Sequence, residues 1–195
     1  VKTQAICLMD AYFPEYAGMF TDMFGTSSMA ILSKCPTPAE CNRTHAATLA
    51  KILSEASRGR FGTEKAANVK AAAKGSVGIT LGSDAASFQI KELVSQIVFL
   101  DKKASEADKR ISVLLQEIEP LILTIPGIST TTGAQIVAEI GDVSRFPNAA
   151  AIVSYAGLNS AVSQSGKFEA TGEPITKHGS PYLRRSMWLA ANRAR

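Results

Sequence analysis

No apolar run among the 195 residues approaches the ~20 needed to cross a bilayer as a helix, so the sequence does not read as a membrane protein. Cysteine is scarce. Cys7, Cys35 and Cys41 are odd in number, lack a C-x-x-C spacing and follow no secretory leader, which argues against a disulfide framework or a zinc site. A reducing cytoplasm is the expected location. The carboxylates Asp10, Glu15, Asp22, Glu139 and Asp142 are scattered, so no metal site is expected within this chain. Period-two alternation, the mark of half-buried strands, is nearly missing, and the expected class is all-α.

What is present is a polar imbalance at one end. The net charge is only +4, but between Leu158 and Arg195 the cations Lys167, Lys177, Arg184, Arg185, Arg193 and Arg195 face only Glu169 and Glu173. That tail carries the whole excess, a distribution suited to a polyanion.

Helix signals recur along the chain. In "CPTPAE" Thr37 is the expected N-cap, with Pro38 at the first helical position and Glu40 at the third. Ala47, Leu49, Ile52 and Leu53 form the next apolar face, closed by Gly59 and Gly62, and Thr63 is the expected cap of an Ala-rich helix. Ser83 or Asp84 opens the longest element, expected from Ala85 to about Glu119. Ile90, Val94, Ile97, Leu100, Ala104, Ala107, Ile111, Leu114 and Ile118 recur at three and four, a coiled-coil seam. Such a seam serves either a partner helix within the chain or a second copy. Pro120 marks its end. The expected domains are a helical connecting region (1–82), the long helix (83–119) and a C-terminal domain (120–195).

In "LILTIPGISTTTGAQIVAEIGD" a short helix should end near Ile125, break at Pro126–Gly127 and restart from Thr130 to Ile140, stopping at Gly141. Two helices joined by a Gly turn resemble the helix-hairpin-helix DNA-binding motif. The restart leaves amides without intrahelical partners, and the helix dipole favours an anion there. Gly127, Ser129 and Thr130 are candidate phosphate contacts, with Thr131 and Thr132 as further hydroxyls. A plain tight turn with capping hydroxyls explains the same residues. A helix with Pro147 in its first turn and Gly157 at its end follows, then a Ser/Gly/Thr-rich loop with a small hairpin through Lys167 to Ile175. The last helix is expected to start at the Ser180 cap with Pro181 at its first position.

The loop carries Ser163, Ser165 and Lys167, and the helix after it carries Arg184 and Arg185. A hydroxyl and nearby cations are two of the parts phosphoryl chemistry needs. A Ser-Gly pair is common in loops, and the residues alone do not single out a nucleophile. His178 is an exposed-loop candidate for a base or a DNA contact.

The P-G-I turn, "AEIGDVSRF", "YAGL", "QSGK", "ITKHGSPYLRR" and "LAA", in this order over residues 124–191, resemble the C-terminal domain of bacterial insertion-sequence transposases of family 110, the bridge-RNA-guided DNA recombinases. "YFPEY", "CPTPAE" and "SRGRFG" resemble that family's connecting region. The resemblance implies a serine nucleophile at Ser165 and DNA or bridge-RNA contacts among Lys167, Lys177, Arg184 and Arg185. It also implies Mg²⁺ held by a RuvC-like domain, and a homo-oligomer through the long helix in a bacterial cytoplasm. The RuvC-like domain is not found in this sequence, so no cofactor is expected here and the chain alone is expected to be inactive. Two other classes fit the residues: a non-enzymatic helix-hairpin-helix module that binds DNA backbone, and a coiled-coil assembly protein.

Overall fold

The computed structural model describes residues 1–118, 121–160 and 174–195, together with the backbone of 164–165 and 168–169. The fold is all-α apart from a ladder of two residues per strand. The chain divides into two units, residues 1–103 and 104–195.

In the first unit short helices follow the sequence signals. These are α1 (Lys2–Tyr12), a 3₁₀ turn (Pro14–Gly18), α2 (Thr26–Leu32), α3 (Pro38–Arg43), α4 (Ala46–Ser57) and α5 (Thr63–Lys74). The Thr37 cap forms as expected: its Oγ1 accepts the Glu40 amide at 3.4 Å and lies 3.2 Å from Glu40 Oε2. The same carboxylate accepts Ser87 Oγ at 2.9 Å and Lys91 Nζ at 2.7 Å. A local capping device thereby anchors the first turns of α6 (Ser83–Ile118). Burial works against the Glu40 charge, but the donors Lys91, Ser87 and Thr37, with the Lys91 charge, outweigh it and hold the carboxyl below its ordinary value.

Two local expectations shift by a residue or so. Gly62, not Thr63, occupies the N-cap of α5, with no side-chain cap bond. On α4 the buried face is Leu49, Ala50 and Leu53, whereas Ala47 is exposed. The helix ends in a left-handed residue, Arg58, followed by Gly59.

Met9, Phe13, Tyr16, Ile31, Leu32, Leu49, Leu53, Val69, Ile90 and Val94 close one apolar core. Each such side chain contributes about 1.5–3 kcal/mol on removal from water. Tyr16 brings a hydroxyl into this core and satisfies it on Ser28, at 3.1 Å from the carbonyl and 3.0 Å from Oγ. The expected seam of α6 is therefore divided. Ile90, Val94 and Ile97 are buried in their own unit, whereas Leu100, Leu114 and Ile118 are exposed.

The second unit holds the end of α6, a 3₁₀ turn (Leu121–Thr124), α7 (Thr130–Ile140), a 3₁₀ turn (Val143–Arg145), α8 (Ala149–Tyr155) and α9 (Pro181–Arg193). The break and restart around Pro126–Gly127 fall where the sequence put them. Helix α8 starts later than expected: Asn148 is its cap, accepting the Ala151 amide at 3.0 Å, and Pro147 lies before the helix. Ile136, Ala156 and Leu183 form a small core with Ile122, Ile128, Ile140, Leu158 and Met187 around it. The end of α6 meets α7 in an apolar groove lined by Ile111, Leu114, Leu115, Ile118, Ala134, Val137 and Ala138. Among the described residues no helix is long and apolar enough to cross a membrane.

Candidate functional site

Helices α7 and α9 run antiparallel, held by two polar rungs. Ser186 Oγ donates to Gln135 Oε1 at 2.8 Å, and Ser180 Oγ donates to Glu139 Oε2 at 2.6 Å. Ser180 also caps α9 as expected, accepting the Leu183 amide at 3.1 Å. At the other end of the pair, Gly127 meets α9. A β-carbon there would lie 2.6 Å from the Ala190 carbonyl oxygen and 2.7 Å from the Ala194 nitrogen. The glycine of the helix break thus has a packing requirement of its own.

At the start of α7, Ser129 Oγ accepts the Thr132 amide at 3.3 Å and pairs with the Thr132 hydroxyl at 3.0 Å. Thr130 and Thr131 are exposed. The sequence thus places four hydroxyls in a row, of which Ser129 caps the helix, Thr132 pairs with that cap, and two are exposed.

The loop before α9 is gathered at its base. Ser160 and Ile175 form an antiparallel bridge, the Thr176 amide donates to the Asn159 carbonyl at 2.9 Å, and Thr176 Oγ1 donates to Asn159 Oδ1 at 2.8 Å. The Lys177 amide donates to the Gly157 carbonyl, and the Ser180 amide to the Tyr155 carbonyl, both at 3.1 Å. Arg184 Nη1 closes the arrangement from α9, donating to the Ala156 carbonyl at 3.0 Å and the Lys177 carbonyl at 3.4 Å. "YAGL" and "KHGSP" are therefore the two sides of one stem.

Within the loop, β1 (Gln164–Ser165) pairs antiparallel with β2 (Phe168–Glu169), with Ser165 opposite Phe168. The Ser165 side chain, Ser163 and Lys167 lie outside the described residues, as does most of the hairpin expected from Lys167 to Ile175. Lys177 and His178 are exposed beside the stem, with Lys177 in a left-handed conformation at φ 56°. Arg184 and Arg185 diverge, as adjacent helical residues must. Arg184 is half-buried on the two carbonyls, and Arg185 is exposed.

Four of the five scattered carboxylates accept hydrogen bonds, Glu139 from Ser180 as described. Glu15 accepts Ser76 Oγ and the Val77 amide, Asp22 the Phe24 amide, and Asp142 the Ser144 amide and hydroxyl. Those donors hold Asp142 below its ordinary pKa. Among the described residues no three His, Cys, Asp or Glu side chains converge to hold a metal. The described side chains do not fit a Mg²⁺ site.

Two exposed rings were not singled out by the sequence. Tyr182 and Trp188 stand three residues to either side of Arg185 on α9 and are 61% and 62% exposed. The signal lay in the spacing of "YLRRSMW", where the two rings bracket a cation.

Comparison with known proteins finds similarity to insertion-element proteins. The chain is 26% identical over 98% of its length to the mini-circle transposase candidate for IS117 of Streptomyces coelicolor, covering 48% of that protein. It is 29% identical over 56% of its length to an uncharacterised 43.6 kDa protein of insertion element IS110 from the same organism, covering 27% of it. It is 28% identical over 93% of its length to a 44.8 kDa protein of insertion element IS116 of Streptomyces clavuligerus, covering 45% of it. The chain thus spans half or less of the length of these relatives. No solved structure matches it. The segment that contains the helix break, the stem and α9, residues 119–195, matches the transposase family of IS116, IS110 and IS902.

Proposed function

We propose that the chain is the DNA-handling part of an insertion-sequence transposase and presents Ser165 as a nucleophile toward a DNA phosphate. The observation that carries this reading is the stem. Four pairings between 155–160 and 175–180, clamped by Arg184, fix the two ends of the loop that bears the serine, inside the segment matched by the transposase family.

The chemistry is a transesterification. The serine oxygen forms one P–O bond as one P–O bond to a deoxyribose oxygen breaks, and the departing oxygen takes a proton. The number of phosphoester bonds is conserved, so the strand is rejoined by the reverse attack without an external energy source. Lys177 and Arg185 are the described cations exposed near the stem, placed to meet phosphate oxygens. Lys167 has the same role in this reading, and Arg184 holds the stem from beneath. Gly127, Ser129 and Thr130 offer a second backbone-phosphate contact at the start of α7. Magnesium belongs to a RuvC-like part outside these residues, and without it the chain is inactive. A bridge RNA is the expected guide, and the exposed apolar positions of α6 are the expected contact between copies.

The test is to supply the remaining portion of the protein, magnesium, guide and target DNA, and to search the Ser165 peptide by mass spectrometry for a covalent DNA adduct. The adduct should appear and be lost in Ser165→Ala. Cleavage that persists without it would assign the attack to water and leave this chain a positioning role.

A further inference from the structure

Helix α9 carries two exposed rings, Tyr182 and Trp188, that neither its packing nor the serine chemistry uses. Its inward positions, Leu183, Ser186 and Ala190, are buried against the unit. Its outward positions Tyr182, Arg185 and Trp188 follow one another at intervals of three, so they fan across about 120° of the helix at 100° per residue. Both rings are more than half exposed. An exposed tryptophan is unusual, because its large apolar surface favours burial. The helix has no carboxylate in Pro181–Arg193, and Arg184, Arg185 and Arg193 give it only positive charge.

We infer that this face is a stacking platform for unpaired nucleotides. It rests on the reading of the chain as a DNA-handling protein and adds the form of nucleic acid that this helix takes. The charge selects a polyanion, and the rings select the form. Bases in an intact duplex are stacked on each other, and a flat side chain reaches their faces only if they are extruded or single-stranded. Unpaired bases instead stack on exposed rings, with arginine adding cation–π and phosphate contacts. Strand exchange creates such segments wherever a duplex is opened. Tyr182 and Trp188, with Arg185 between them, would hold one while the serine loop acts elsewhere.

Trp188 is the single tryptophan of the chain, so its emission reports this face alone. Titration with a short oligothymidylate, a blunt duplex of equal length and inorganic polyphosphate gives the first readout. Quenching by the single strand, with little from duplex or polyphosphate, is expected. Binding of a labelled oligothymidylate is then measured by anisotropy. Trp188→Leu should weaken it about tenfold, as the loss of one stacked base does. Trp188→Phe, which keeps a ring, should stay within about threefold of the parent.

Equal quenching by all three polyanions would overturn the inference, as would a Trp188→Leu protein that binds the oligonucleotide as tightly as the parent. Loss of self-association in Trp188→Leu with unchanged oligonucleotide affinity would also overturn it, and reassign the face to a protein contact. Both readouts use the chain without catalysis. Failure of the Ser165 adduct leaves them intact, and their failure leaves the adduct intact.

Discussion

Arg184 Nη1 lies 3.0 Å from the carbonyl oxygen of Ala156 and 3.4 Å from that of Lys177, tying α9 to both sides of the loop stem. Arg185, its neighbour, faces solvent. The two arginines should therefore respond differently to the same change. Arg184→Ala leaves two carbonyls without their charged donor and should cost about 1.5–3 kcal/mol, read as a lower midpoint in urea. Arg185→Ala should alter stability by less than about 0.5 kcal/mol. It should weaken duplex binding and reduce the slope of log K against log salt by about one. Equal destabilisation by both variants would contradict the division of roles.

Gly127 and Gly141 separate strain from collision. Both have positive φ, 86° and 60°, but a β-carbon on Gly141 meets nothing within 4 Å, whereas one on Gly127 meets backbone atoms of α9. Gly141→Ala should cost about 1–3 kcal/mol from backbone strain. Gly127→Ala should cost distinctly more, because rigid backbone must also move. Denaturant midpoints of the two variants, compared with the parent, decide the point.

The Glu40–Lys91 pair predicts an acid sensitivity. The folded carboxyl sits below its ordinary value of 4.5 because Lys91, Ser87 and Thr37 favour the charged form despite burial. A carboxyl lowered on folding contributes stability above its unfolded pKa and loses it as pH falls through the folded one. Stability should therefore decline below about pH 4.5, and Glu40→Gln should flatten that decline. Denaturation midpoints from pH 7 to pH 3 measure it, and an unchanged slope in Glu40→Gln would count against the linkage.

Leu114 and Ile118 are 41% and 61% exposed on α6 beside the apolar groove. If the long helix joins two copies, Leu114→Asp should shift sedimentation toward a smaller species without loss of helical circular dichroism. A parent already monomeric at tens of micromolar would remove the proposal.

Local chemistry made much of the fold legible. Thr37–Pro38 and Ser180–Pro181 announced α3 and α9 because a cap and its proline act within one turn. Where two local residues competed, the choice was not visible: Gly62 displaced Thr63, and Asn148 opened α8 after Pro147. The period of α6 was readable, but its division into a buried and an exposed part was not, since that depends on where the first unit's core ends. In the site, the stem was hidden because "YAGL" and "KHGSP" meet only in three dimensions. For the same reason the sequence offers Arg184 as a nucleic-acid contact, whereas the fold places its guanidinium on the Ala156 carbonyl.

The bridge between Ser160 and Ile175 also bears on how the protein can be altered. The bridge holds the two ends of the intervening segment together, so extra length inserted there adds mainly loop-closure entropy, about 0.6 kcal/mol for each doubling. A tag or a longer recognition segment placed there should be tolerated by α8 and α9, whereas the same insertion between Tyr155 and Ser160 would pull the stem apart.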